Sequence, residues 1–195
     1  DAPFPPVSRA LARPNGLLAA GGGLEPERLL RAYRLGIFPW YSPGQPVLWW
    51  SPDPRMVLPT AEFKLHRSLK KTLRSFLATP DCEIRFDSKF EQVIAHCAAT
   101  PRHGQHGTWI VPALRLAYAE WHRAGTAKIA LAALVAFCRG HGIALIDCQQ
   151  ATAHLASFGA REVPRAHFEN HLARTLDQPP PAAWTYDPAH WETLL

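Results

Sequence analysis

Apolar residues recur at helical spacing along much of this chain, and at strand spacing only in short pieces. Pro26 to Leu35 predicts a helix: Pro26 suits the first helical position and Gly36 supplies the stop. Leu65, Leu69, Leu73, Phe76 and Leu77 fall on one helical face and predict an amphipathic helix. Cys82 to Asp87 alternates like a strand, with Ile84 and Phe86 set between charges. Phe90, Val93, Ile94 and Cys97 mark a short helix, and Thr108 to Val111 a short strand. Pro112 to Arg123 reads as a helix with Leu114, Ala117, Tyr118 and Trp121 inward and Gly125 as its stop. Thr126 to Arg139 is nearly all apolar, hence a buried helix, broken by Gly140 to Gly142. Ala144 to Cys148 is a strand ending at Gln149-Gln150, and Pro164 opens a last helix through Thr175 before a Pro-rich tail. Strands are scarce for this much apolar helix.

The block Gly36 to Arg55, GIFPWYSPGQPVLWWSPDPR, obeys neither period. Its prolines fix φ and remove backbone donors, so it cannot be one helix or a central strand. Phe38, Trp40, Tyr41, Trp49 and Trp50 on such a rigid frame form either a local core or a platform for a flat ligand. Composition alone favours core. Pro43-Gly-Gln-Pro46 has the spacing of a polyproline ligand, but the neighbouring tryptophans would expose too much apolar surface there.

At 195 residues the chain can hold one sizeable core or two small domains. Hydrophobic content of 47% against 19% charged is globular rather than disordered. The longest apolar run, Ile129 to Cys138, is too short to span a bilayer. The opening DAPFPPVSRALARPNG lacks the pattern of a signal peptide, and without an initiator Met the true start is expected to be missing or processed. Cys82, Cys97, Cys138 and Cys148 show no CxxC spacing and are expected to be free, buried thiols in a reducing compartment. His103 and His106 have no carboxylate or Cys at ligand spacing, so a solvated loop is expected there, with no metal.

The net charge of +5 suggests an anionic partner. Lys64, Arg67, Lys70, Lys71 and Arg74 share one segment with no acidic residue after Glu62. They form either a solvated face or a phosphate-binding one. Asp147 stands out among Leu145, Ile146 and Cys148. In a regular strand it would share a face with Gln149, and a carboxylate beside an amide at a strand's end is a plausible polar site. The alternative is a carboxylate that caps the next helix or bonds loop amides. GxSxG, HExxH and GxxxxGK[ST] are all missing, so these other catalytic patterns fail.

PNGLLAAGGGLEPERLLRAYRLGIFPWYSPGQPVLWWSPDPR, Gly107-Thr-Trp-Ile110, Leu145-Ile-Asp-Cys-Gln149 and the stretch from His154 through Gly159-Ala160 to Val163-Pro-Arg165 together resemble the bacterial leucyl/phenylalanyl-tRNA–protein transferases. The resemblance covers most of the chain in order. It implies a cytoplasmic, monomeric enzyme of the N-degron (N-end rule) degradation pathway, needing no cofactor and no membrane. Such an enzyme moves Leu or Phe, and Met less well, from aminoacyl-tRNA onto a protein with N-terminal Arg or Lys. It implies an α+β fold: a small N-terminal domain (1–53) joined to a domain (54–195) similar to the acyl-CoA N-acyltransferase (GNAT) fold. Matched position by position, Trp40 and Trp109 would flank the terminal adenosine, and Leu131 and Ile146 would line the aminoacyl side-chain pocket. Asp147 and Gln149 match the catalytic pair. Arg67, Lys70, Lys71 and Arg74 lie where the family meets tRNA phosphates. Trp49 and Trp50 keep the core reading, as a seam between the two domains.

One departure bears on all of this. Between Gly125 and Thr126 the family has a few dozen further residues, which hold central strands of the sheet and a catalytic-site Glu in a Gly-Glu-Ser context. Their omission would explain the shortage of strands. The natural protein is expected to carry them, so its intact mass should exceed 21.7 kDa. Two other classes stay open: an acyl-CoA-dependent N-acyltransferase, against which the lack of a Gly-rich pyrophosphate turn speaks, and a non-catalytic tRNA-binding module.

Overall fold

The computed structural model describes residues 2–79, 84, 95, 127–185 and 187–195, with only the backbone in 127–130. Its elements run β1 (Leu17–Ala20), α1 (Pro26–Arg34), β2 (Phe38–Pro39), β3 (Leu48–Trp50), β4 (Arg55–Pro59) and α2 (Arg67–Ala78). They continue α3 (Ala127–Gly140), β5 (Leu145–Gln149), α4 (Ala153–Ser157), β6 (Arg161–Val163) and α5 (Arg165–Thr175). Two small sheets, ordered β1-β3-β2 and β5-β4-β6, make this a mixed α+β fold. The expected elements at Phe90–Cys97, Thr108–Val111 and Pro112–Arg123 lie outside the described residues, as do the Gly125–Thr126 join, Cys82, Cys97, His103 and His106, though Ala95 is helical. Of the strand expected at 82–87 only Ile84 is described; it is in no strand and packs on a core cluster.

The chain divides into two compact units. In the first, residues 2–55 and Val163–Pro179, α1 begins with Pro26 as expected. It ends in a Schellman motif: Gly36 N–H donates to Tyr33 O at 3.0 Å and Ile37 N–H to Ala32 O at 2.8 Å. That motif turns Ile37 inward, beside Leu29, Ala32 and Trp49, all fully buried. Burying side chains of this size contributes roughly 1.5–3 kcal/mol each. Arg55 is 1% exposed in the same unit. Its guanidinium lies over the rings of Phe38 (4.8 Å) and Phe168 (4.7 Å), and Nη1 donates to Gly36 O at 2.9 Å. Ring faces and a carbonyl thus replace the water that a buried cation loses. The first free amide of α5 is capped from a distance, as Arg165 N–H donates to Asp53 Oδ1 at 3.0 Å.

The second unit holds residues 56–79, Ile84, 127–162, 180–185 and 187–195. Its core joins Met56 and Leu58 of β4, Leu69 and Leu73 of α2, Ala132, Val135 and Ala136 of α3, and Phe63 with Phe158. α3 is the buried helix its composition predicts, and it too ends in a Schellman pattern, Ile143 N–H to Cys138 O at 2.8 Å and Gly142 N–H to Arg139 O at 3.2 Å. Trp191, in a short 3-10 turn (Pro188–Thr193), seats the C-terminal tail on this core. Arg139 holds it there, donating to Thr60 O at 2.8 Å and also to Thr193 O.

Two expectations are corrected. Leu77 is 39% exposed, because α2 buries the narrower stripe Leu69–Leu73 and only partly buries Phe76. Of the two described cysteines, Cys138 and Cys148, only Cys138 is buried. Burial pushes its thiol up to about 11, which makes it a packing residue rather than a nucleophile. Cys148 is half-buried because it sits at an irregularity in β5.

Candidate active site

That irregularity shapes the site. β5 runs antiparallel to β4, with Leu145 opposite Pro59, Ile146 opposite Leu58 and Asp147 opposite Val57. The next pair is Gln149 with Met56, so Cys148 is an extra residue and the ladder is bulged. Gln149 then takes φ 65°, the left-handed region. Gln150 N–H donates to Cys148 O at 2.8 Å, closing a γ-turn about Gln149. Asp147 Oδ1 accepts the Gln149 N–H at 2.9 Å and braces the turn from the strand side. The same-face alternation expected for Asp147 and Gln149 requires a regular strand, so the bulge and the left-handed residue overturn it. The carboxylate does what the alternative reading allowed: it bonds a local amide. A non-glycine residue held in this region costs about 1–3 kcal/mol, and such residues cluster at functional sites.

Leu131 of α3 and Ile146 of β5 are both half-buried and pack against the same core cluster. Beside Met56 the unit has an open cavity of about 300 Å³. Its walls are Met56, Ala151, Thr152, Ala153, Ala156, Ala160, Arg161 and Glu162. The trace of this cavity in the chain is the recurrence of small residues at Ala151, Thr152, Ala153, Ala156 and Ala160. Of the four basic residues of α2, Arg67, Lys71 and Arg74 are exposed. Lys70 is half-buried and its Nζ donates to Leu195 O at 3.1 Å, so it is already partly engaged.

Trp40 belongs to the first unit and is half-buried. Its N–H donates to Leu48 O at 2.9 Å, and its carbonyl accepts from Trp50 Nε1 at 2.6 Å. The Trp40 and Trp50 rings lie 5.9 Å apart, tilted by 54°. Successive residues of a strand face opposite ways. Trp49 therefore enters the core, edge-on to Phe4 at 4.8 Å with its Nε1 on Gly21 O at 2.9 Å. Trp50 points to the other side and supports Trp40. The core part of the reading thus holds for Trp49 alone, which packs within the first unit. Trp109, the expected second wall, lies outside the described residues.

Among the described residues no group of three or more His, Cys, Asp or Glu gathers to hold a metal, and no helix is long and apolar enough to cross a membrane.

Residues 22–53 match the family model described as leucyl/phenylalanyl-tRNA protein transferase N-terminal domain. Residues 57–128 and 125–173 match the leucyl/phenylalanyl-tRNA protein transferase model. The chain is 54% identical to the leucyl/phenylalanyl-tRNA–protein transferase of Methylibium petroleiphilum, covering 100% of this chain and 88% of that protein. It is also 54% identical to the protein of the same name from Leptothrix cholodnii (100% and 91% covered) and 50% identical to that from a Polaromonas species (98% and 91%). The 234 aligned positions with the first two exceed the 195 residues of this chain by 39. The two stretches of the second family model meet at residues 125–128.

Proposed function

The chain belongs to the leucyl/phenylalanyl-tRNA–protein transferases, and from that premise we propose that it moves Leu or Phe, and Met less well, onto proteins beginning with Arg or Lys. It is an aminoacyltransferase whose substrates are an aminoacyl-tRNA and a protein. The product enters the N-degron pathway of degradation in the cytoplasm, and the enzyme works as a monomer. The observation that carries the catalytic roles is the Asp147-braced turn that holds Gln149 in a left-handed conformation at the end of β5.

The chemistry asks little of the protein. An aminoacyl ester is already activated. The acceptor's α-amino group, with pKa about 7.7–8.0, is uncharged in a fraction on the order of a tenth at neutral pH. The amine nitrogen attacks the ester carbonyl, a C–N bond forms, and the C–O bond to the tRNA ribose breaks; the proton lost by nitrogen ends on the ribose oxygen. Positioning and modest hydrogen-bond assistance suffice. The Gln149 side-chain carbonyl accepts from the attacking amine, and the Asp147 carboxylate orients the turn and favours positive charge developing on nitrogen. Leu131 and Ile146 supply apolar wall for the transferred side chain. Such a wall separates side chains differing by a methylene by only about 1–3 kcal/mol, which fits some use of Met.

In the first unit Trp40 offers a ring for the terminal adenine. Stacking of this kind is worth about 1–3 kcal/mol per base. Trp40→Ala is expected to raise the KM for aminoacyl-tRNA roughly ten- to a hundredfold, while Trp40→Phe keeps most of the affinity. An unchanged KM in Trp40→Ala would make the ring only a packing partner of Trp50. Arg67, Lys70, Lys71 and Arg74 meet tRNA phosphates, with Lys70 contributing least because of its bond to Leu195 O.

The 39 additional aligned positions of the relatives, and a family match that breaks at 125–128, support an inserted segment between Gly125 and Thr126 in the natural protein. It would complete a GNAT-like domain (54–195) that follows the N-terminal domain (1–53) in the chain. Peptide mapping of the natural protein should find no peptide joining Gly125 directly to Thr126; finding one would overturn the insertion. For the activity itself, labelled Leu-tRNA and an Arg-started peptide should yield a peptide heavier by one leucyl residue, without ATP or CoA. Saturable tRNA binding with an unmodified peptide would instead mean a binding module.

A further inference from the structure

The cavity beside Met56 takes no part in the steps above. We propose that it receives the side chain of the acceptor protein's first residue, with the Glu162 carboxylate selecting Arg or Lys; this rests on the aminoacyl-transfer reading.

Its position comes from the ladder. Met56 lines the cavity and is the strand partner of Gln149. Directly opposed residues in an antiparallel pair have Cα atoms about 4.5–5.5 Å apart. An amino group held at the Gln149 turn therefore carries its own side chain within reach of this wall. The lining fits that side chain. Ala151, Ala153, Ala156 and Ala160 present methyl groups and Met56 a flexible thioether, a shallow apolar surface suited to the three- or four-carbon stem of Arg or Lys.

The charges at the rim fit as well. Arg161 would repel an incoming cation, but it is committed elsewhere. Its Nε and Nη2 donate to the two Glu62 carboxylate oxygens at 3.0 and 3.1 Å, a bidentate pair. Glu162, its neighbour on β6, is exposed, and among the described residues no side-chain hydrogen bond or ion pair occupies it. One carboxylate is thus left for a cation at the end of an apolar trough. A leucyl or phenylalanyl side chain would put apolar surface against that carboxylate, and neither Leu131 nor Ile146 belongs to the wall. Exposure keeps the selection modest, several-fold rather than a thousandfold.

The test uses the natural full-length enzyme, labelled Leu-tRNA and peptides beginning with Arg, Lys or citrulline, the last a neutral isostere of Arg. Wild type should prefer Arg and Lys. Glu162→Gln should cut the Arg-over-citrulline preference about 3- to 10-fold through the peptide KM, with kcat at saturating peptide and the KM for Leu-tRNA unchanged. Ala156→Phe, which fills the trough, should raise the peptide KM for Arg and Lys together, with thermal melting as the check on folding. Unaltered preference in Glu162→Gln with unaltered peptide KM in a folded Ala156→Phe overturns the subsite while leaving the transfer reading intact. Leucine added to no peptide by wild type removes the transfer reading, and the subsite with it.

Discussion

Gln149→Gly is expected to lower turnover about a hundredfold or more while leaving thermal stability unchanged or slightly raised. The two halves of this result come from different atoms of one residue. The backbone of Gln149 sits at φ 65° in a turn closed by Gln150 N–H and Cys148 O. Glycine adopts that conformation without the steric cost that a Cβ brings. Removing the side chain thus relieves strain in the fold. It also removes the amide proposed to accept from the attacking amine, and one positioned hydrogen-bond partner in a transition state is worth about 10²–10³ in rate. Asp147→Ala should also lower turnover, by a different route. It deletes the acceptor of the Gln149 N–H, so the turn loosens and stability falls as well. Single-turnover leucyl transfer measured beside aminoacyl-tRNA affinity separates these effects: rates should fall with affinity nearly constant. Turnover within threefold of wild type in Gln149→Gly would refute the role given to the amide.

Gly159→Ala should be the most damaging substitution for folding. Gly159 closes α4 at φ 99°, and a Cβ there would lie 2.3 Å from Glu62 O, a backbone atom. The carbonyl cannot swing away easily, since the chain beside it is tied down by Lys64 N–H donating to Phe158 O at 2.8 Å. Left-handed strain costs roughly 1–2 kcal/mol, and moving packed backbone adds more, so a loss of about 3 kcal/mol or greater is expected. For a chain of this size that corresponds to a fall in Tm of roughly 6–12 °C. Gly44→Ala is the control. It has a similar φ of 82° but nothing within 4 Å of the new methyl, so it should lose only the conformational part. Equal losses at the two positions, measured by denaturant unfolding, would show that the clash with Glu62 is absorbed.

Local signals carried the helices a long way. Pro26 opens α1 and Gly36 stands just past its C-cap Leu35, the apolar run identified α3 as buried, and Pro164 stands at the cap of α5. These features depend on contacts within one or two turns of chain, which a sequence displays directly. The aromatic block was legible only in part. Its prolines excluded a single helix, but the expectation of no central strand is overturned: Leu48–Trp50, which carries no proline, pairs with both β1 and β2, and which face of β3 met the core separated Trp49 from Trp50.

By itself, then, the sequence determined the family, the helices α1, α2, α3 and α5, and the basic segment of α2. Each of these is written in residue identity or in short-range spacing. Tertiary structure alone decided the bulge at Cys148 that turns Gln149 left-handed, the pairing of Met56 with Gln149 across the sheet, and the bond from Arg161 to Glu62, 99 residues away. Strand register and long-range ion pairing arise from how separate segments close on one another, a choice made by the whole core rather than by any window of the chain.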